Sequence, residues 1–419
     1  MSVTYQETVL DNGLRIAAEI APGAHSAAVG FFVRTGARDE PTEVMGVSHY
    51  LEHMMFKGTE LLAADAINQA FDDLGASNNA FTSREMTCFY AHTLPEAMDK
   101  ATDLIAQMLR PALRAADFDT EKQVILEEIA MYADNPFWVL YEEAIDRRYN
   151  RARLGHRVLG TKDSVGKMTR DQMNEYFASR YAPDSMVVAL AGNLDFDRCV
   201  NLIKDRCAAW PATGADRDPT LPERATGRFG LTDPKVNRGY MIGVADAPGV
   251  EDERRHAAAL LAQVLGGADN SRLHWALIET GLAEEAQAAY DGMDRHGEFF
   301  VYASGDPDKL GDIEEVIRKE ITGLRDSIEE DDLAKLRSKA LTAMTIASER
   351  PSGRMMRLGR VWTVLGKYVT LDEELEELSK VTAADLKAVC DEFPFDNWLL
   401  GTMTPDPDAP APEEDEPAS

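Results

Sequence analysis

The sequence predicts an α+β protein built from two related domains, and three observations point there. The chain has 419 residues, too many for one ordinary hydrophobic core. Near its middle, Pro211–Arg228 (PATGADRDPTLPERATGR) is rich in Pro, Gly, Thr and charge and reads as an interdomain linker. Beyond it, the order of strand-like and helix-like segments repeats that of the first half. The expected boundaries are 1–212 for the first domain, 213–228 for the linker, 229–404 for the second domain and 405–419 for a tail.

Taken in order, Asn12-Gly13 between two strand-like runs signals a hairpin. Ser26–Thr35 (SAAVGFFVRT) is apolar on both faces and rich in β-formers, so it reads as a buried strand. Leu62–Leu74 has helical period and ends at Gly75, a suitable C-cap. Ser77–His92 reads as two strands about a polar turn at Ser83-Arg84-Glu85. Helices are expected near Pro95–Leu109, Ala115–Ala133 and Trp138–Tyr149, then from Thr169. A strand follows at Ser185–Gly192, and a last helix runs from Phe196 to about Trp210.

In the second half, Tyr240–Ala245 matches the buried strand, and the helix Glu253–Leu265 comes next. Two long helices are expected near Asp308–Asp326 and Asp331–Glu349, and the copy closes with a helix (Ala383–Glu392) and a strand (Asn397–Met403). From Pro405 to Ser419 there is no large apolar and no basic residue, a composition that cannot offset ordering entropy, so this tail is expected to be disordered.

The net charge of −29 argues against nucleic acid or an anionic membrane as partner, since a phosphate surface would repel the chain. It leaves two readings open: a solubilising outer surface, or an acidic chamber suited to cationic peptides. No apolar run approaches the roughly 20 residues of a membrane span. The start, Met1-Ser-Val-Thr-Tyr-Gln-Glu-Thr, has neither the basic nor the apolar part of a signal peptide, so the expected location is cytoplasmic. Cys88, Cys199, Cys207 and Cys390 make no metal-binding cluster. Cys199 and Cys207 fall about 12 Å apart on one helix, too far for a disulfide, so reduced thiols are expected.

Chemistry concentrates in Gly46-Val-Ser-His-Tyr-Leu-Glu-His-Met-Met-Phe-Lys-Gly58. His49 and His53 stand one helical turn apart on one face, with Glu52 beside them. Two imidazoles at that spacing suit Zn²⁺, and a neighbouring carboxylate suits a general base toward a water that the metal activates. The order H-x-x-E-H is the inverzincin signature; the plainer reading is a surface helix with two solvated histidines. A third ligand is needed. In the helix at Asp119–Tyr132, Glu121 and Glu128 lie two turns apart on one face, whereas Glu127 falls off that face.

These two segments together resemble the pitrilysin, insulin-degrading enzyme and mitochondrial processing peptidase family of zinc peptidases, in a short two-domain form. There a Glu-x6-Glu helix follows the H-x-x-E-H helix by some seventy-odd residues. The resemblance implies Glu128 as third zinc ligand and Glu121 as the carboxylate supporting the site. It also implies two domains from an internal duplication, each an antiparallel-rich sheet packed with helices, with zinc only in the first. Ser77-Asn-Asn-Ala-Phe-Thr82 is similar to the family's Asn-Ala-x-Thr segment, an edge strand that pairs with substrate backbone, and makes Asn79 and Ala80 the substrate-binding candidates; an ordinary hairpin is the other reading. His156 belongs to no motif and reads as structural.

Family members often carry Arg-x6-Tyr in the second repeat after a Ser-Arg-Leu run. Here Ser271-Arg-Leu is present, but Leu277 and Glu284 occupy that spacing. The resemblance thus implies a zinc endopeptidase acting on peptides or unfolded segments, with Glu52 as base. The alternative is a weak or inactive peptide-binding scaffold of the same fold. A dimer is expected, and the missing pair points to a heterodimer with a related chain that supplies the Arg and Tyr. In a homodimer, Arg295 or Tyr302 would have to take over that role.

Overall fold

The computed structural model describes residues 3–267, 269–395 and 397–406. The first half contains strands β1 (Thr4–Val9), β2 (Arg15–Ile20) and β3 (Ala27–Val33), then helices α1 (Val47–Met55) and α2 (Ala64–Asp73). A hairpin follows, β4 (Ser77–Thr82) and β5 (Thr87–Thr93), then α3 (Met98–Met108), α4 (Ala115–Tyr132) and α5 (Pro136–Arg148). The half closes with α6 (Lys162–Lys167), α7 (Arg170–Arg180), β6 (Met186–Gly192) and α8 (Phe196–Cys207).

The second half opens with β7 (Gly227–Asp233), β8 (Gly239–Ala247) and α9 (Arg255–Gly266). After a short π-helical turn at His274–Ile278 come β9 (Glu285–Met293) and β10 (His296–Gly305). Helices α10 (Leu310–Leu324), α11 (Glu330–Ala347), α12 (Pro351–Leu365), α13 (Leu371–Lys380) and α14 (Ala383–Glu392) lead to β11 (Leu399–Pro405).

The strands form two sheets, ordered β1-β2-β6-β3-β5-β4 and β7-β11-β8-β10-β9. From β2 onward they correspond strand for strand. In both, one pair is parallel, β2 with β6 and β7 with β11, and every other pairing is antiparallel. Two α+β layers of the same topology are the signature of a duplication. The hairpin β9–β10 has no counterpart in the sequence reading, because the Ala-rich run Glu285–Met293 has weak β propensity. Strand β7 and helices α6, α12 and α13 have no counterpart in the sequence reading either; Pro351 at the first turn of α12 is the start signal that marks that helix.

Strand β3 is buried along its whole length because both faces of its sheet are covered. One face packs under α1, α3, α4, α7 and α8 through Phe31, Tyr50, Leu51, Ile125 and their neighbours. The other carries α12 of the second half, through Phe32, Met355, Leu358 and Trp362. Gly359 makes that seat possible, since a Cβ there would stand 2.0 Å from the Phe32 ring. The exchange is mutual: α5 of the first half covers β8 and β11 through Leu140, Ala144 and Ile145 against Ile242, Val244 and Met403.

Ion pairs with one buried member, Glu19 or Arg148, fix both exchanged helices. Glu19 of β2 accepts from Arg357 and, at 3.0 Å, from Arg354 of α12. Arg148 of α5 reaches Asp246 of β8 at 2.7 Å. Each half therefore needs the other to cover its sheet.

The stretch read as a linker behaves differently from a spacer. Residues 211–226 carry no regular structure, yet Arg217 is buried and bonds both oxygens of Asp39, at 3.0 and 2.9 Å. It also donates to Glu85 O at 2.5 Å and lies 3.3 Å from Asp294. At its end, β7 already begins at Gly227, inside the expected linker. The tail differs at its start: Pro405 belongs to β11, paired with Asp233, and residues 407–419 lie outside those described. Among the described residues no helix is long and apolar enough to cross a membrane, and Cys88, Cys199, Cys207 and Cys390 form no disulfide.

Replacing Arg217 with Met should lower the unfolding free energy by about 3 kcal/mol or more, because Asp39, Glu85 and Asp294 lose a buried partner. Urea denaturation measures this; an unchanged midpoint would show that the segment is a free tether after all.

Candidate metal centre

The site is built on α1, whose first turn is held from outside the helix. Gly46, at φ 94°, precedes it in a conformation that favours glycine, and a Cβ there would meet Leu159 O at 2.6 Å. The N–H groups of Gly46 and Ser48 donate to the buried Glu40 carboxylate at 2.6 and 2.8 Å. A carboxylate at a helix N-terminus satisfies free amides and matches the helix dipole. Burial pushes the Glu40 carboxyl up, to about 8, and the amide bonds pull it back. Farther along, the Tyr50 ring stacks on Phe118 of α4 with centroids 4.8 Å apart, and its hydroxyl donates to Phe118 O. That contact sets α1 against α4.

With the two helices docked, His49 and His53 face Glu121 and Glu128. Glu128 Oε2 lies 3.7 Å from His49 Nε2 and 3.7 Å from His53 Nε2. The three ligand atoms fall within 4.8 Å of one another. A tetrahedral zinc ion with ligands at 2.0–2.1 Å separates them by about 3.4 Å, so the cluster accepts the ion with little movement. Two imidazoles and one carboxylate are also a donor set suited to zinc, leaving a fourth position open. Burial, then the neighbouring His53, pushes the His49 imidazole down to about 4, toward the neutral form that ligates.

Around this cluster, Glu121 Oε2 lies 3.1 Å from His53 Nδ1, and Glu121 Oε1 lies 2.6 Å from Lys57 Nζ. A carboxylate on Nδ1 makes that nitrogen the donor and turns the Nε2 lone pair toward Glu128. Glu127 is exposed and stands apart from the cluster. Glu52 lies on the same helix, and its Oε2 accepts from the Thr82 hydroxyl at 2.6 Å. Burial raises the Glu52 pKa, which the Thr82 hydrogen bond and the nearby His53 partly offset.

Asn79 and Ala80 lie on β4, at the edge of the first sheet and against α1. Ala80 is buried, Asn79 is exposed, and the Ala80 N–H donates to Asn79 Oδ1 at 2.9 Å. Past the end of β4 opens a cavity of about 620 Å³, walled by Phe81, Thr82, Tyr132, Trp138 and Tyr141 among others. His156 is buried, with Nδ1 3.2 Å from Ala37 O and Nε2 3.4 Å from Thr42 Oγ1, as befits a structural residue.

Among the described residues, the second half adds no side chain to the cluster. Leu277 is a core residue and Glu284 pairs with Arg238 at 2.8 Å. Tyr302 is 3% exposed and meets Phe137 edge-on. Arg295 occupies the β9–β10 turn, its N–H donating to Glu251 at 3.1 Å. Sequence reasoning missed Glu40, Lys57 and Thr82. Thr82 had a signal, as the last residue of the Asn-Ala-x-Thr segment; Lys57 had none, because its partner Glu121 is distant in sequence, and Glu40, although close to Gly46 and Ser48, stands at no capping-box spacing from them.

The profile of the family described as insulinase (peptidase family M16) matches residues 15–162, and that of the peptidase M16 inactive domain matches 167–340. An uncharacterized zinc protease of Mycobacterium tuberculosis (strain ATCC 25618 / H37Rv) is 35% identical over 393 residues, covering 92% of this chain and 89% of its own. The uncharacterized zinc protease YmxG of Bacillus subtilis is 30% identical over 403 residues, covering 96% and 98%. Among solved structures, a protease from Helicobacter pylori superposes with a TM-score of 0.90 at 20% identity, over 96% of this chain and 100% of that one. A putative M16-like peptidase from Alicyclobacillus acidocaldarius gives 0.83 at 21%, over 97% and 99%. Profiles and relatives together support a metallopeptidase; the superpositions establish the fold.

Glu128→Gln should release zinc at chelator concentrations where Glu127→Gln still holds it. Glu121→Gln should weaken zinc affinity by about 10–100-fold, as expected when the partner of a ligating imidazole is lost. Competition with a chromogenic chelator reads all three, and equal retention in the Glu127 and Glu128 variants would contradict the cluster.

Proposed function

The chain belongs to the M16 peptidase family, and from that premise we propose that it is a zinc-dependent endopeptidase of peptides or unfolded segments. The observation that carries this reading is the convergence of His49, His53 and Glu128 within 4.8 Å, with Glu52 on the same helix. His49 Nε2, His53 Nε2 and Glu128 Oε2 would hold the ion. Zinc, when bound, supplies Lewis acidity that polarises a peptide carbonyl and acidifies a water.

The remaining work falls to the chain's own groups. Glu52 takes the proton from the attacking water on the carboxylate oxygen that Thr82 does not engage, and passes it to the leaving amine nitrogen. Glu121 holds the His53 ring in line. The edge of β4 receives the substrate backbone as an added strand, with Asn79 and Ala80 as the contacting residues.

Leu277 and Glu284 stand where relatives of this kind carry an Arg and a Tyr, so substrate positioning is incomplete within one chain. The unit we propose is a dimer, and specifically a heterodimer with a related chain that supplies such a pair opposite this zinc. The burial of Tyr302 weighs against the homodimer in which it substitutes.

Two experiments follow. Glu52→Gln should keep its zinc and lose turnover of an unstructured fluorogenic peptide library by several orders of magnitude; near wild-type cleavage would rule out Glu52 as the base. The wild-type chain purified alone should bind zinc yet cleave that library poorly, with turnover restored by the related chain. Efficient saturable cleavage by this chain alone would exclude the heterodimer.

A further inference from the structure

We infer that Thr82 is a positioning residue for the Glu52 carboxylate, and that the second half of the chain holds Thr82 in place through Arg84. The inference rests on the reading of Glu52 as the base. A glutamate side chain has several rotamers open to it, and only some aim a carboxylate oxygen beside the zinc cluster. Thr82 removes that freedom. Its hydroxyl donates to Glu52 Oε2 at 2.6 Å, which leaves the other oxygen free for a proton. Thr82 is β-branched, so its own χ1 is stiff and the donor stays aimed.

Thr82 is the last residue of β4, and an edge strand with one neighbour is not rigid at its end. The turn after it supplies the rigidity. Ser83 N–H donates to Met86 O at 2.8 Å, while Ser83 O and Arg84 O accept from Ala37 and Arg38 at 3.2 and 2.9 Å. Across the junction, the Arg84 guanidinium bonds both oxygens of Glu298, at 3.0 and 2.7 Å, and Asp291 at 3.0 Å. Glu298 is 1% exposed, so this fork is a buried anchor between β10 and the turn. Glu85 is held as firmly: the Asp294 N–H donates to both of its oxygens at 3.1 Å.

A line of contacts therefore runs from the hairpin β9–β10 through Arg84 and Thr82 to Glu52. Among the described residues the second half brings no ligand to the cluster, yet its carboxylates set the orientation of the base. Because β4 is also the proposed substrate strand, base and substrate backbone are registered on one element.

The test compares Thr82→Val, Thr82→Ser, Glu298→Gln and Glu52→Gln in the assembly that gives wild-type turnover, using the fluorogenic peptide library. Zinc content and hydrogen exchange of the turn at 82–86 are measured in parallel. Thr82→Val should keep its zinc and its KM within about twofold and lose kcat by about 10–100-fold; Thr82→Ser should recover most of it. Glu298→Gln should loosen the 82–86 amides, leave those of α1 protected, and lower kcat in the same direction. A zinc-loaded Thr82→Val protein with wild-type kcat, beside an inactive Glu52→Gln, would overturn the positioning role alone. An active Glu52→Gln would instead overturn the reading of the base. Unchanged exchange and unchanged kcat in Glu298→Gln would remove the second half from the line.

Discussion

Between the two sheets, the buried Arg38 and Arg217 and the half-buried Arg84 pair with the buried Asp39, Glu85, Asp294 and Glu298. Much of the remaining structure depends on this cluster. Charges taken out of water cost several kcal/mol each unless every one has partners in good geometry. Here the partners come from four places: the loop before α1, the β4–β5 turn, the irregular segment around Arg217 and the β9–β10 hairpin. None of these can shift alone without stranding a charge. Their mutual fit fixes the approach to α1, and so the position of the metal cluster.

The exchange of α5 and α12 works by apolar burial instead. Each sheet covers one face with its own helices and the other with a helix borrowed from the opposite half. The metal cluster lies on the side covered by the sheet's own helices, where α1 packs on α4. The borrowed helices lie on the opposite side, next to the cavity past β4. This division lets ligands sit on two helices of one half while the second half shapes the surroundings. It also explains how a half that lost the histidine motif stays bound to the chemistry: it completes the core of the half that kept the motif.

Legibility followed distance along the chain. His49, Glu52 and His53 could be read because their spacing is set by one helix, and Glu121 and Glu128 because theirs is set by another. Periodicity of 3.6 residues suffices for both, and it puts Glu128, rather than Glu127, on the face that meets His49 and His53. The duplication was visible in the order of elements, although the Ala-rich β9 hid one hairpin and α12 escaped notice. The linker shows the opposite case. Its composition reads as a flexible tether, but Arg217 closes on Asp39 from 178 positions away, and no local pattern announces such a pair.

Local sequence was enough to nominate the candidate metal ligands and the faces of their helices they occupy, because backbone geometry within one helix decides that. The fold in three dimensions was needed to bring α1 against α4 where Glu128 faces both imidazoles, and to set Lys57 on Glu121 and Thr82 on Glu52. It also decided that a charge-rich segment becomes a buried clasp. The physical reason is that a buried ionic or hydrogen-bonding group must find its partner wherever the folded chain brings one. That choice is made by the closing of loops tens to hundreds of residues long, not by anything beside it in the sequence.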